Sequence, residues 1–139
     1  MNERPAYDRG RPRRPQRELV FWDRDDLSIP EGWGELFREM TSGPSAGLWG
    51  RRAALSIAQA RIETGTGPTF PELFYELLPN TAGLPTPLPE EFTYLDRRYA
   101  INRFRYGCGI AWADLGWIRW RRGIERSLDT GPRIPRSSD

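Results

Sequence analysis

The run from Gly116 to Gly131, Gly-Trp-Ile-Arg-Trp-Arg-Arg-Gly-Ile-Glu-Arg-Ser-Leu-Asp-Thr-Gly, constrains this chain more than any other. It sets four arginines against two acids, includes two tryptophans, and has glycines at both ends and in the middle. Such a run suits an element that buries one face and lays cations along the other. As a strand pair, Ile118 and Trp120 face inward while Arg119 and Arg121 face out, by the two-residue period. Gly123 then marks a turn, Ile124 and Leu128 return to the core, and Asp129-Thr130-Gly131-Pro132 closes the unit with turn chemistry. Arg126 falls on the inward face, which requires a bulge or a strand edge. As a helix, Ile110, Ala113, Trp117, Trp120, Ile124 and Leu128 form a stripe at three- and four-residue spacing. Against the helix stand Gly116 and Gly123, each costing about 1 kcal/mol relative to alanine in a helix interior. The β-branched and aromatic density around Trp117 to Trp120 also favours a strand. Local physics leaves both readings open.

Composition removes several chemistries. The 139 residues include no histidine, one cysteine (Cys108) and 21 basic residues that are all arginine. One cysteine forms no internal disulfide, and a zinc site without histidine would rest on carboxylates. Histidine-based triads, Schiff-base lysines and the phosphate-loop lysine are excluded. No apolar run reaches the length of a spanning helix or a signal sequence, so the expectation is a cytoplasmic protein without membrane association. No cofactor, metal site or catalytic residue is expected. A carboxylate-based hydrolase is the one enzyme class left, and no pair of acids stands out for it. The exclusive use of arginine points to GC-rich coding.

The net charge of +2 hides segregation. Residues 1–17 carry +4, 18–44 carry −5, 81–96 carry −3 and 97–139 carry +6. An acidic first half and a basic second half fit a protein that turns one face to a polyanion. Two halves that attract each other are the alternative.

Residues 1–17, rich in arginine and proline, read as a disordered basic arm. Residues 18–131 read as a single domain with its core in 45–131, and 132–139 as a flexible tail. Leu19 to Trp22 is a short strand or packing clip. Pro30 fits the first turn of a short helix running to about Met40, with Trp33, Leu36, Phe37 and Met40 on its apolar face. A second helix spans about 45–64, capped by Ser45 and ended by Gly65, with Leu48, Leu55 and Ile62 as its seven-residue core stripe. Thr69 and Glu72 have capping-box spacing and open a third helix, which Pro79-Asn80 stops. Gly65-Thr66-Gly67 is not a phosphate loop, because lysine and a preceding strand are missing. After a proline-rich linker, a fourth helix is expected from about 89 to 106, ended by Gly107. Arg97, Arg98, Asn102, Arg103 and Arg105 cluster in its last turns, and arginine and asparagine are the types that make bidentate contacts to guanine and adenine. A solvated basic face is the plainer reading of that cluster. Cys108, between two glycines, reads as a small packing residue.

Gly116-Trp117-Ile118, followed by Gly123, Arg126-Ser127-Leu128 and Gly131, resembles the ends of small winged helix-turn-helix proteins of actinobacteria and their phages. Gly67-Pro68-Thr69-Phe70 with Glu72-Leu73 is similar to the start of their second helix, and Leu48-Trp49 with the paired arginines fits ahead of it. The resemblance covers about 45–131. It implies a mainly α fold with a small β-hairpin wing, and a sequence-specific DNA-binding protein acting in transcription regulation at the nucleoid. The helix near 89–106 would be the recognition helix, with Arg97, Arg98, Asn102 and Arg103 as candidates for base contact. Arg119, Arg121, Arg122 and Arg126 would grip phosphates of double-stranded DNA from the wing, and Ser127 would add a neutral contact. The linker of about ten residues departs from the three or four that join helix-turn-helix helices. The alternative is a protein-interaction module, a phage or host accessory factor without DNA contact, since tryptophan and arginine are enriched at interface hot spots. The acidic 18–44 segment would then meet a homodimer mate or another protein.

Overall fold

A computed structural model describes residues 21–135. The basic arm expected at 1–17 lies outside them, as do Leu19, Val20 and the last four residues. Four helices and a short hairpin follow in order: α1 (Trp33–Thr41), α2 (Gly43–Thr64), α3 (Phe70–Leu77), α4 (Tyr94–Asp114), β1 (Ile118–Arg119) and β2 (Asp129–Thr130). The strands pair antiparallel, with Ile118 opposite Thr130 and Arg119 opposite Asp129. The mainly helical fold with a small hairpin therefore agrees with expectation.

Gly32, at φ 86°, turns the chain into α1, where Trp33, Phe37 and Met40 are buried on one face. Phe21 stacks on Phe37 at 4.3 Å, so the chain before α1 acts as a packing clip. α2 begins two residues earlier than predicted. Ser42 is its N-cap residue, and the Ser45 hydroxyl donates instead to the Glu39 carbonyl across the corner. Gly65, at φ 85°, ends α2 as predicted, donating its N–H to the Arg61 carbonyl.

The α2 stripe is reversed. Leu48, Leu55 and Ile62 are 68%, 45% and 79% exposed, and the buried face is Ala46, Gly50, Ala53, Ala54 and Ile57. α2 lies against α1, α3, α4 and both strands. Small side chains let a helix approach that many neighbours, as at Gly50, where an added Cβ would come within 2.5 Å of the Trp117 ring. The large residues are left outside.

The capping box of α3 forms as expected: Thr69 Oγ1 accepts from the Glu72 N–H, and Glu72 Oε1 accepts from the Thr69 N–H. A 3-10 turn at Pro79–Thr81 occupies the start of the linker. α4 has a second capping box, Thr93 with Asp96, and Arg24 reaches Asp96 at 3.0 Å. The fourth helix thus starts at 94 rather than 89, after Pro89 and the buried Phe92. It also runs eight residues past 106. Gly107 and Gly109 do not stop it: a Cβ on either would press on Phe37 or Phe70 rings, at 2.7 and 2.9 Å. These glycines are small because other rings need the space.

α4 lies against α1, α2 and β1. Phe104, Cys108 and Trp112 are fully buried along it, and meet Trp33, Ile57, Leu73 and Phe74 in one core. Burial pushes the Cys108 thiol well above its ordinary pKa, as suits a packing residue. Among the described residues no helix is long and apolar enough to cross a membrane.

Candidate functional site

The helical reading of 116–128 is overturned at Gly116. Its φ of 90° breaks the helix, and the Trp117 N–H returns to the Trp112 carbonyl. β1 then buries Ile118, exposes Arg119 and sends Trp120 against Phe70, as the two-residue period predicted. Leu128 is buried on the return, but Ile124 is not: it is 55% exposed at the loop tip, beside the turn at Gly123. Arg126 leaves the inward face by adopting φ 62°, a left-handed conformation that costs a non-glycine residue about 1 kcal/mol or more. The chain stays bonded past the hairpin, with the Arg133 N–H on the Gly116 carbonyl and the Ile134 N–H on the Gly131 carbonyl. Arg133 and Ile134, expected to belong to a flexible tail, are thus held against the hairpin.

The loop from 120 to 128 is held from inside and outside. Ser127 Oγ accepts from the Arg121 N–H and donates to the Arg121 carbonyl. Arg126 forms a two-pronged pair with Glu72, each contact at 3.0 Å, tying the loop to the first turn of α3. Arg126 first, then the Thr69 N–H, hold the Glu72 carboxyl below the usual carboxylate range. Between this loop, α3 and α4 lies a groove of about 580 Å³, floored by Phe70, Tyr106, Ile110 and Trp120 and edged by Arg121 and Arg122.

The ten predicted site residues divide sharply. Arg98, Asn102, Arg121 and Arg122 are exposed, and the side chains of Arg121 and Arg122 have no acidic partner among the described residues. Asn102 stands one turn from Tyr106 on the outward face of α4, and Arg98 one turn before it, lying 5.9 Å from the Tyr94 ring. Arg119 is half exposed, with Asp129 at 3.5 Å. The other five are occupied within the fold. Arg97 donates to the Pro89 and Phe92 carbonyls, bracing the entry to α4. Arg103 binds the Phe21 carbonyl and lies 3.3 Å from Asp23. Arg126 and Ser127 hold the loop. Arg105 is a plain correction, being buried at 9% exposure against the Phe74 ring and the Gly83 carbonyl. Burial lowers its pKa, and its Nε has no hydrogen-bond partner among the described residues.

That burial makes a prediction. Replacing a buried charge by an apolar side chain of similar volume is often neutral or stabilising, by about 1 kcal/mol or more. Arg105→Met is expected to match or exceed the wild type in urea denaturation. A loss of more than about 2 kcal/mol would instead mean that the bond to Gly83 supports the fold.

Sequence reasoning missed the groove, because Phe70, Tyr106 and Trp120 come from three elements and each reads locally as core. It also missed the Arg126–Glu72 tie, although both residues were singled out, since nothing local links them across 54 positions. No family model matches the chain, and no curated protein or solved structure is similar to it.

Proposed function

We propose that the chain binds double-stranded DNA in a winged-helix manner and acts in transcription regulation. The succession of α2, α3 and α4 followed by the hairpin supports this reading. The observation that carries the reading is the pair of unpartnered arginines, Arg121 and Arg122, on a loop braced beside the outward face of α4. A guanidinium fork matches phosphate oxygens, and a braced loop loses little freedom when it meets a backbone. Arg119 lies on the same hairpin. Arg98 and Asn102 are the base-reading candidates on α4, being the residues of that cluster whose polar ends are turned outward. Arg97, Arg103, Arg105, Arg126 and Ser127 serve the scaffold in this reading.

Fluorescence anisotropy on a random duplex tests it, across about 50 to 200 mM salt. Log affinity is expected to fall linearly with log salt for the wild type. Arg121→Ala/Arg122→Ala removes two phosphate contacts, so the slope should become shallower by about 2. Arg105→Met, a buried control, should leave the slope unchanged. Equal slopes for wild type and the double variant would remove the hairpin from the interface. Failure to bind at the lowest salt would redirect the aromatic groove to a protein partner.

A further inference from the structure

We infer that the outward face of α2 is a self-association surface, on which a second copy of this chain docks in antiparallel orientation. α2 has two apolar faces on opposite sides. The inner one consists of small residues and Ile57. The outer one holds Leu48, Leu55 and Ile62, all substantially exposed. At seven-residue spacing these three lie nearly in line along the helix and supply one of the two apolar positions per heptad of a two-helix seam. Scattered exposed leucines are ordinary on a protein surface, but this aligned row lies opposite the buried face and outside the core formed by the described residues.

The row is self-complementary. With a twofold axis beside Leu55, Leu55 meets its own copy, and Leu48 meets Ile62 of the second copy at both ends. The flanking charges choose the orientation. Arg52 and Glu63 lie on the same side of the row, with Gln59 between them. In the antiparallel pair, Arg52 therefore faces Gln59 and Glu63 of the second copy, with both carboxylates near guanidiniums. Parallel pairing would instead bring Arg51 opposite Arg52 of the second copy, at the same height on both flanks. Like charges in that position destabilise the parallel form. Arg51 is exposed and has no acidic partner among the described residues, while Arg52 rests 4.6 Å over the Trp49 ring and Glu63 accepts from Gln59. Gly47, with open space around it, leaves room for the second helix at the edge.

This surface is independent of the DNA reading and is tested without DNA. Sedimentation velocity of the full chain over about 5 to 200 µM should show a monomer passing to a species of twice the mass, since association follows concentration. Leu55→Glu sets two carboxylates on the twofold axis and should leave a monomer throughout. Mixing Leu55→Glu with Leu55→Arg should restore the dimer as a heterodimer, which a variant that merely failed to fold would not do. Orientation is read by disulfide formation. Leu48→Cys mixed with Ile62→Cys should cross-link under mild oxidation, and Leu48→Cys alone should not. A wild type that stays monomeric over the whole range would overturn the inference. So would a dimer indifferent to Leu55→Glu, or one cross-linked by Leu48→Cys alone.

Discussion

Trp112→Ala is expected to remove a large part of the chain's stability, about 4–8 kcal/mol. Trp112 is fully buried, stacks on Phe74 at 5.7 Å with rings 16° apart, and donates its Nε1–H to the Met40 carbonyl at 2.8 Å. Removing a buried aromatic of this size costs about 3–5 kcal/mol, because the surrounding rings collapse only in part. The Met40 carbonyl, at the end of α1, would also lose its indole partner, adding about 1–3 kcal/mol if water does not replace it. Small domains are stable by about 5–15 kcal/mol in all, so the sum is of the same order as what is available. Trp112→Phe separates the two effects: it keeps much of the volume and should cost about 1–3 kcal/mol. Trp49→Ala is the contrast, since that indole is half-buried and donates to an exposed Glu39 carboxylate. Circular dichroism through a urea titration measures all three without relying on tryptophan emission. A Trp112→Ala protein as stable as the wild type would mean that α1 and α4 do not meet through this side chain.

Gly67→Ala is expected to cost about 3 kcal/mol, at the upper end of what overpacking does. A Cβ there would lie 2.2 Å from the Leu128 carbonyl oxygen and 3.0 Å from the Arg126 carbonyl oxygen. Both obstacles are backbone, which cannot swing aside like a side chain. The Gly67 N–H donates to that Arg126 carbonyl, so the return strand would be pushed away from the segment joining α2 and α3. Two further glycines grade the effect. Gly65→Ala meets open space but must hold φ 85°, at a cost of about 1 kcal/mol or slightly more. Gly47→Ala meets nothing within 4 Å in a helix interior and should stabilise by about 0.5–1 kcal/mol. Urea midpoints should therefore rank Gly47→Ala, wild type, Gly65→Ala and Gly67→Ala from highest to lowest. If Gly67→Ala proved no worse than Gly65→Ala, the hairpin would not be seated against the α2–α3 connection.

Features set by neighbours in sequence were legible from the chain alone. The Thr69–Glu72 box, the left-handed Gly65 and the alternation of Ile118, Arg119 and Trp120 each depend on residues a few positions apart. The hairpin and helix readings of 116–128 were separated by the backbone of one residue, Gly116, whose conformation no periodicity encodes. Errors gathered where an outcome depends on distant packing. Leu48, Leu55 and Ile62 outweigh Ala46, Ala53 and Ala54 on any hydrophobicity count. What fixes the inner face of α2 is instead how closely its neighbours approach. Arg105 has the composition of a contact residue and the location of a core residue, because Gly83 and Phe74 close over it. Gly107 reads as a stop and serves as clearance for Phe37. Sequence located the arginine-rich segments, but not which of their arginines the fold itself uses.

The hairpin ladder spans two residue pairs, too few to position a nine-residue loop by strand pairing. Its location is set by outside anchors: Arg61 Nε on the Leu128 carbonyl, the Gly67 N–H on the Arg126 carbonyl, and Arg126 on Glu72. All three anchors lie on the end of α2, the start of α3 or the turn between them. The loop arginines therefore move as cargo of the α2–α3 corner rather than as the tip of a free arm. Any event that shifts this corner, such as a load applied along α2, would re-aim Arg121 and Arg122 without touching them.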